Sequence, residues 1–186
     1  LTSVRIATLQ SPDGPVAAIE RSNDRFIIED DKGRAIRDVG ELLRTNNWRS
    51  LTESASNKAA GNWPALRPIL EPGATVCVGL NYKKHVLEMG RQLPTVPTLF
   101  SKLPRALTDP EATIALPAAS NMIDYEGELA IVIGSGGRDI PLDKAWGAVA
   151  GFTLLNDVTA RDFQKRSLQW FAGKSWERST PVGPVF

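Results

Sequence analysis

Two glutamates stand close together at the start of an apolar segment. Glu126 and Glu128 are two residues apart, and the apolar residues 129–133 follow them directly. Because side chains along a β-strand alternate between its faces, a strand here points both carboxylates the same way. Carboxylates about 7 Å apart repel each other by about 2 kcal/mol at an effective dielectric constant of about 20. A cation between them would offset that repulsion, so the pair predicts a cation site; the alternative is a strand face open to solvent.

A third acidic residue ends another apolar segment. Asp157 follows residues 150–156, which are typical of a buried strand, and precedes a helix predicted over 160–170. Strand ends often carry site residues, so Asp157 is a candidate third ligand; the alternative is a role as N-cap of that helix. Carboxylate ligands, in a chain with one histidine and one cysteine, favour Mg²⁺, Mn²⁺ or Ca²⁺ over zinc.

The chain has one histidine, and an acidic residue lies three positions after it. His85 and Glu88 fall in the segment 83–92, which is predicted to contain a short helix, so they share one helical face. A carboxylate that orients an imidazole makes that imidazole a candidate general base. The alternative interpretation is a surface pair without a chemical role.

The segments that must position these residues indicate an α+β protein rich in strands. Short strands separated by turns are predicted in residues 3–10, 15–20 and 25–30, followed by helices within 38–48 and 51–60. Residues 1–65 are therefore predicted to form a small N-terminal domain, and 66–186 a second domain. In the second domain, strands are predicted at 75–80, 97–102, 126–134 and 150–157, and helices at 142–149 and 160–170; Thr159 and Asp162 predict a capping box.

Composition excludes several classes of function. The 186 residues carry a net charge of +1 and no basic run with interleaved aromatics, which argues against nucleic-acid binding. No apolar segment approaches the length of a membrane span. Cys77 is the only cysteine, which rules out an intramolecular disulfide and makes the cytoplasm the expected location.

The two ends of the sequence suggest a fragment. The chain begins with Leu1 and stops at Phe186, directly after the start of an apparent strand. We therefore expect that a C-terminal portion of the fold is missing from this sequence.

Five segments, taken in order, resemble the fumarylacetoacetate hydrolase family. They are VGLNYKKHVLEM, PTLFSK, DYEGELAIVIG, GFTLLNDVTARDFQ and WFAGKSWERSTPVGP, and together they cover the chain from about residue 73 to its end. The resemblance implies a mixed β-sandwich roll behind a small N-terminal domain. It also implies one divalent cation, usually Mg²⁺ or Mn²⁺, and commonly a homodimer. The sequence departs from the family at Leu103, where relatives often have proline.

The resemblance also implies roles for individual residues. Glu126, Glu128 and Asp157 would bind the metal, and His85 and Glu88 would form the catalytic dyad. Two lysines would stabilise the charge of an oxyanion or enolate, and three further residues would line the pocket. The lysines are Lys102 and Lys174, and the pocket residues are Tyr82, Arg161 and Gln164.

The activity implied first is hydrolysis of a carbon–carbon bond in an acylpyruvate, such as fumarylpyruvate or fumarylacetoacetate, during aromatic catabolism. An alternative within the same family is decarboxylation of oxaloacetate or isomerisation of a 2-hydroxyhepta-2,4-diene-1,7-dioate. An alternative of another class is a metal-binding module without catalytic activity. A general base beside the metal argues against that module, because a structural cation needs no base.

Overall fold

The computed structural model describes residues 4–55 and 57–186, and it is a mixed α+β structure rich in strands. Helices are few and short. The strands are β1 (Arg5–Ser11), β2 (Gly14–Arg21), β3 (Asp24–Ile27), β4 (Ala65–Leu66), β5 (Thr75–Gly79), β6 (Thr98–Lys102), β7 (Leu107–Thr108), β8 (Ile123–Asp124), β9 (Gly127–Ile133), β10 (Val149–Asn156), β11 (Thr159–Ala160) and β12 (Thr180–Pro181). The helices are α1 (Val39–Leu43), α2 (Trp48–Ser54), α3 (Lys83–Glu88), α4 (Arg161–Gln164) and α5 (Phe171–Lys174), with 3₁₀ helices at Pro104–Ala106 and Leu142–Ala148.

The N-terminal part is a four-stranded antiparallel sheet in the order β3-β2-β1-β4. Its first three strands coincide with the predicted ones; Ser3, at the start of the first prediction, and Ser56, within the second predicted helix, lie outside the described residues. Because β4 pairs with β1, the predicted boundary at residue 65 falls inside this sheet. The division into domains at that point stays a prediction.

The main hydrophobic core lies between this sheet and α1. Asp38 caps α1 by accepting a hydrogen bond from the Glu41 backbone N–H at 2.8 Å, which fixes the helix start. The helix then buries Val39, Leu42 and Leu43. Val132 of β9 belongs to the same core cluster, so the core joins the N-terminal sheet to the strands that carry the predicted site.

Two chain segments, 123–133 and 149–160, run antiparallel and form an interrupted ladder. β9 pairs with β10 down to Gly127 and Asn156, and β8 pairs with β11 through Asp124 and Thr159. Between these two ladders the Asp157 backbone N–H donates to the Glu126 carbonyl at 2.8 Å. This interruption frees the side chains of Glu126 and Asp157 from the regular alternation of the sheet.

Strand β9 differs from its prediction in how its faces are covered. Its composition predicts a strand buried on both sides. One face, which includes Val132, points inward, whereas the side chains of Leu129, Ile131 and Ile133 on the other face are 57%, 54% and 60% exposed. The prediction fails on that face because an apolar sequence indicates only that the face avoids water and does not identify the segment that covers it.

The start of α4 also differs from its prediction. Thr159 lies in β11, and its hydroxyl donates to the Asp157 carbonyl at 2.8 Å instead of capping a helix. The N-cap of α4 is Ala160, which makes no side-chain capping bond. The predicted capping box is therefore wrong, because Thr159 pairs with Asp124 in the β8–β11 ladder and the helix begins after it.

Helices in the described part of the chain are too short and too polar to cross a membrane.

The helix predicted over 142–149 is a 3₁₀ helix over Leu142–Ala148 with no buried residue. A short helix without a buried face gains little from packing, which explains why an α-helix does not form there.

Candidate active site

Two lysines are buried against one aspartate. Lys102 ends β6 and Lys174 ends α5, and they are 2% and 1% exposed. The ammonium nitrogen of Lys102 lies 2.5 Å from Oδ1 of Asp157, and that of Lys174 lies 2.7 Å from Oδ2. Asp157, itself 2% exposed, therefore has an ammonium group on each oxygen. Buried charges require such partners, because an unpaired charge in a protein interior is strongly unfavourable.

Glu126 joins the same cluster from the neighbouring strand segment. Its Oε2 contacts the ammonium group of Lys174, and its Oε1 lies 2.6 Å from Nη2 of Arg161. The Lys174 ammonium thus lies between the carboxylates of Glu126 and Asp157. These two predicted ligands are brought together around one cationic group.

Glu128 lies apart from that cluster. Its Oε2 accepts a hydrogen bond from Nδ2 of Asn81 at 3.3 Å. Burial raises the pKa of Glu128, the hydrogen bonds from Asn81 and Tyr82 act to lower it, and the negative charges of Glu126 and Asp157 raise it further. Burial above all, with a smaller contribution from the two neighbouring acids, therefore raises the pKa of Glu128 and favours its protonated form.

The basic residues show how burial and ion pairing compete. Burial lowers the pKa of Lys102, and the adjacent Asp157 carboxylate counteracts part of that shift. For Arg161, burial acts to lower the pKa, but the hydrogen bonds to Asp124 and Glu126 outweigh it and the pKa is raised.

Burial also raises the pKa of the Cys77 thiol to about 11.

The predicted dyad lies on α3 at the rim of the site. His85 is exposed and lines the cavity described below. Glu88 is exposed too, and its Oε1 lies 3.8 Å from the ammonium group of Lys84, one helical turn away. The structure therefore places His85 toward the site and pairs Glu88 with Lys84; the dyad stays a prediction.

A cavity of about 1800 Å³ connects these groups. Lys102 and Glu88 are absent from its lining, although Lys102 acts on the cavity through Asp157. The predicted site residues that line it are Tyr82, His85, Glu126, Glu128, Asp157, Arg161, Gln164 and Lys174. Most of the predicted residues therefore face one space, whereas the acid of the proposed dyad does not.

Sequence reasoning missed Asp124. Its carboxylate accepts two hydrogen bonds from Arg161, from Nε at 3.0 Å and from Nη2 at 2.8 Å. A signal was present, because Asp124, Glu126 and Glu128 form an alternating series of acids. Only the structure shows that the first of them faces an arginine.

The donor set fits a hard divalent cation in part. Carboxylate oxygens are the ligands that Mg²⁺ and Mn²⁺ prefer, and the Lys174 ammonium marks a cation position between Glu126 and Asp157. Within residues 4–55 and 57–186, no three Asp, Glu, His or Cys side chains are already arranged around a common metal position. Glu128 would therefore have to turn toward the other two carboxylates to complete a site.

Comparisons with known proteins show the family to which the chain is related. The model of the family described as fumarylacetoacetate (FAA) hydrolase, C-terminal, matches residues 74–186. A curated relative, the mitochondrial oxaloacetate tautomerase fahd2 of Xenopus laevis, is 32% identical over 195 residues, covering 98% of this chain and 61% of that protein.

Two solved structures have similar folds. The fumarylacetoacetate hydrolase of Exiguobacterium antarcticum has a TM-score of 0.79 and 30% identity, covering 98% of this chain and 66% of that one. The 2-hydroxyhepta-2,4-diene-1,7-dioate isomerase of Mycobacterium marinum has a TM-score of 0.75 and 30% identity, covering 99% and 66%. The chain thus spans less than two thirds of the length of each of these relatives.

Proposed function

This chain belongs to the fumarylacetoacetate hydrolase family, and from that premise we propose that it catalyses the tautomerisation or isomerisation of a small 2-oxo acid. Oxaloacetate is the first substrate to test, since a relative is named an oxaloacetate tautomerase, and the Mycobacterium marinum structure is named an isomerase. These names support the alternatives of the sequence analysis better than carbon–carbon bond hydrolysis.

The observation that carries this proposal is the pair of buried ammonium groups on Asp157. Tautomerisation of a 2-oxo acid removes a proton from the carbon beside the carbonyl, which gives an enolate with negative charge on oxygen; a proton then adds to that oxygen to give the enol. Fixed positive groups in a site shielded from water stabilise such charge far better than they would in solution. Lys174 lines the cavity, so it would act on the substrate oxygen, and Lys102 would hold Asp157 in place.

The proton would be handled by His85. Histidine is the side chain that most often acts as a general base in enzymes. Because His85 lines the cavity and is also exposed, it can take a proton from the substrate carbon and exchange it with solvent. Glu88 lies 3.8 Å from Lys84 in an exposed pair, and its role in orienting His85, which hydrolysis by water would require, stays a separate prediction.

We further propose that Glu126, Glu128 and Asp157 hold one Mg²⁺ or Mn²⁺ ion, with Ca²⁺ as another candidate. When bound, the cation would supply a Lewis acid that polarises the oxygens of the substrate. Tyr82, Arg161 and Gln164 are proposed to form the substrate pocket or to support the groups that line it, as the family resemblance implies.

A panel of 2-oxo acids tests this proposal in the presence of Mg²⁺ or Mn²⁺. The enol absorbance of oxaloacetate follows tautomerisation, pyruvate release follows decarboxylation, and the ultraviolet absorbance of acylpyruvates follows hydrolysis. We expect acceleration of the oxaloacetate keto–enol exchange. No acceleration with any 2-oxo acid would overturn the proposal, and turnover of acylpyruvates alone would restore the hydrolase and its place in aromatic catabolism.

Two variants test whether His85 is the general base. His85→Ala should slow tautomerisation by about 100-fold or more, which is the usual contribution of a general base. Lys84→Ala, which releases Glu88 from its partner, is the matched control on the same helix and should leave tautomerisation unchanged. If His85→Ala keeps the wild-type rate, His85 is not the base.

Assembly as a homodimer and residence in the cytoplasm also stay proposals. The exposed apolar side chains of Leu129, Ile131 and Ile133 support the first, because such a face gains free energy when it is covered. Light scattering coupled to gel filtration measures the mass directly, and a monomer at all concentrations would reject the dimer.

A further inference from the structure

We propose that Asp124 is a positioning residue, which orients the carboxylate of Glu126 through Arg161 and never touches the substrate. The inference deepens the proposed function and rests on the cation site described there. It assigns a task to the one acidic residue of the series Asp124, Glu126 and Glu128 that sequence reasoning left without a role.

The guanidinium group of Arg161 is almost fully used inside the protein. Nε and Nη2 donate to Oδ2 of Asp124 at 3.0 and 2.8 Å. Nη2 lies 2.6 Å from Oε1 of Glu126, and Nη1 donates to Oε1 of Gln164 at 3.0 Å. A guanidinium group has five N–H donors, so little of this one is left for a substrate.

These contacts give the two oxygens of Glu126 different tasks. Oε1 faces Arg161, and Oε2 faces the position between Glu126 and Asp157 that the ammonium of Lys174 marks. A carboxylate held by one oxygen cannot rotate freely, so the other oxygen keeps its direction. Asp124 contributes by holding the Nε–Nη2 edge of the guanidinium group, because both of these donors converge on its Oδ2.

The backbone supports this arrangement. Asp124 pairs with Thr159 in the β8–β11 ladder, and the Arg161 N–H donates to the Met122 carbonyl at 2.8 Å. Both ends of the contact therefore lie on chain segments bonded to each other. The Arg161 side chain is 25% exposed and that of Asp124 46%, so the arrangement lies at the edge of the site, away from the most buried groups.

Manganese binding tests the inference without relying on turnover. Asp124→Asn keeps the shape of the side chain and removes its charge, and Mn²⁺ alone is titrated into the full chain by calorimetry. We expect affinity to fall by about 10- to 100-fold, the usual cost of losing a group that orients a metal ligand. Asp162→Asn is the matched control, since Asp162 also pairs with an arginine, Arg166, at 3.5 Å but touches none of the proposed ligands; it should leave Mn²⁺ affinity unchanged.

A double variant shows whether Asp124 acts through Arg161. In an Arg161→Met background, Asp124→Asn should weaken Mn²⁺ binding no further, whereas additive losses would mean an independent effect and overturn the inference. Arg161→Lys keeps the positive charge but loses the Nε–Nη2 edge, so it should weaken binding as Asp124→Asn does, and it serves if Asp124→Asn fails to fold.

The outcomes separate this inference from the proposed function. Wild-type affinity in both Asp124→Asn and Arg161→Lys overturns the positioning role while leaving the cation site standing. A wild-type chain that binds no Mn²⁺ overturns the cation site, and the inference with it.

Discussion

The ammonium nitrogen of Lys174 lies 2.7 Å from Oδ2 of Asp157, and both side chains are almost completely buried. Lys102 approaches the other oxygen of the same carboxylate, and Glu126 contacts Lys174. Each of these charges is tolerated because the others surround it. The cluster should therefore respond to mutation as a unit.

Removing the ammonium group of Lys174 should lower the free energy of unfolding. Lys174→Met leaves Glu126 and Asp157 with less positive charge around them, and breaking a buried pair in this way costs about 3–5 kcal/mol. Urea unfolding should show that loss, with partial recovery on adding Mn²⁺. The exposed Lys144 provides the control, and Lys144→Met should change stability by no more than about 0.5 kcal/mol. Equal effects of the two variants would contradict this account.

Replacing Glu128 with glutamine should stabilise the protein and weaken its binding of Mn²⁺. Because burial raises its folded-state pKa, wild-type stability from this group is present at low pH and is lost as pH rises through that pKa. Glu128→Gln mimics the protonated form, so it should melt at a higher temperature than wild type at pH 8, with a smaller difference at pH 4. The same variant should bind Mn²⁺ more weakly. A larger difference in melting temperature at pH 4 would contradict the sign of this shift.

Gly173 should tolerate no side chain. A Cβ there would lie 2.6 Å from the Gln164 backbone nitrogen and 2.8 Å from the Ala160 carbonyl oxygen, and neither backbone atom can move aside. Gly173→Ala should cost about 1–3 kcal/mol or more, and it should reduce activity because Lys174 follows directly. At Gly147 a Cβ meets nothing within 4 Å, so Gly147→Ala should be nearly neutral. Similar melting temperatures for both variants would refute the close packing.

Cys77 should react slowly with thiol reagents. Its pKa is raised from 9.0 to about 11, chiefly by burial and then by Asp157, and two units correspond to about 100-fold less thiolate at pH 8. Native protein should therefore react with an aromatic disulfide reagent far more slowly than protein unfolded in urea. Its rate should still rise between pH 9 and pH 10, where the unfolded chain approaches its plateau. Equal native and unfolded rates would rule out the raised pKa.

The sequence predicted the positions of the strands better than it predicted which segments cover their faces. The apolar runs that became β5, β9 and β10 could be assigned to strands because they are short, rich in β-branched residues and bounded by turn residues. What covers each face depends on contacts distant in sequence. The exposed side of β9 and the 3₁₀ helix at Leu142–Ala148 therefore differ from the predictions.

Candidate site residues could be predicted from the sequence where acidic residues lie close together or at the end of an apolar segment. The charges of Glu126 and Glu128 predicted a cation site, and Asp157 at a strand end was the candidate third ligand; the structure brings Glu126 and Asp157 together around Lys174, and the cation site stays a proposal. Partners could not be named, because the pairing of Asp157 with Lys102 joins residues 55 positions apart. Asp124 was missed for the same reason, since its partner Arg161 lies 37 positions away.

The buried cluster has a consequence for how this family evolves. Lys102, Glu126, Asp157 and Lys174 come from separate segments and neutralise one another, so a change at any one of them threatens folding before it threatens turnover. Selection for a folded chain would retain all of them even in a descendant that had lost its reaction. Their presence in a distant homologue would thus reflect a shared fold as well as any shared chemistry, and variants of an exposed residue such as His85 can separate the two.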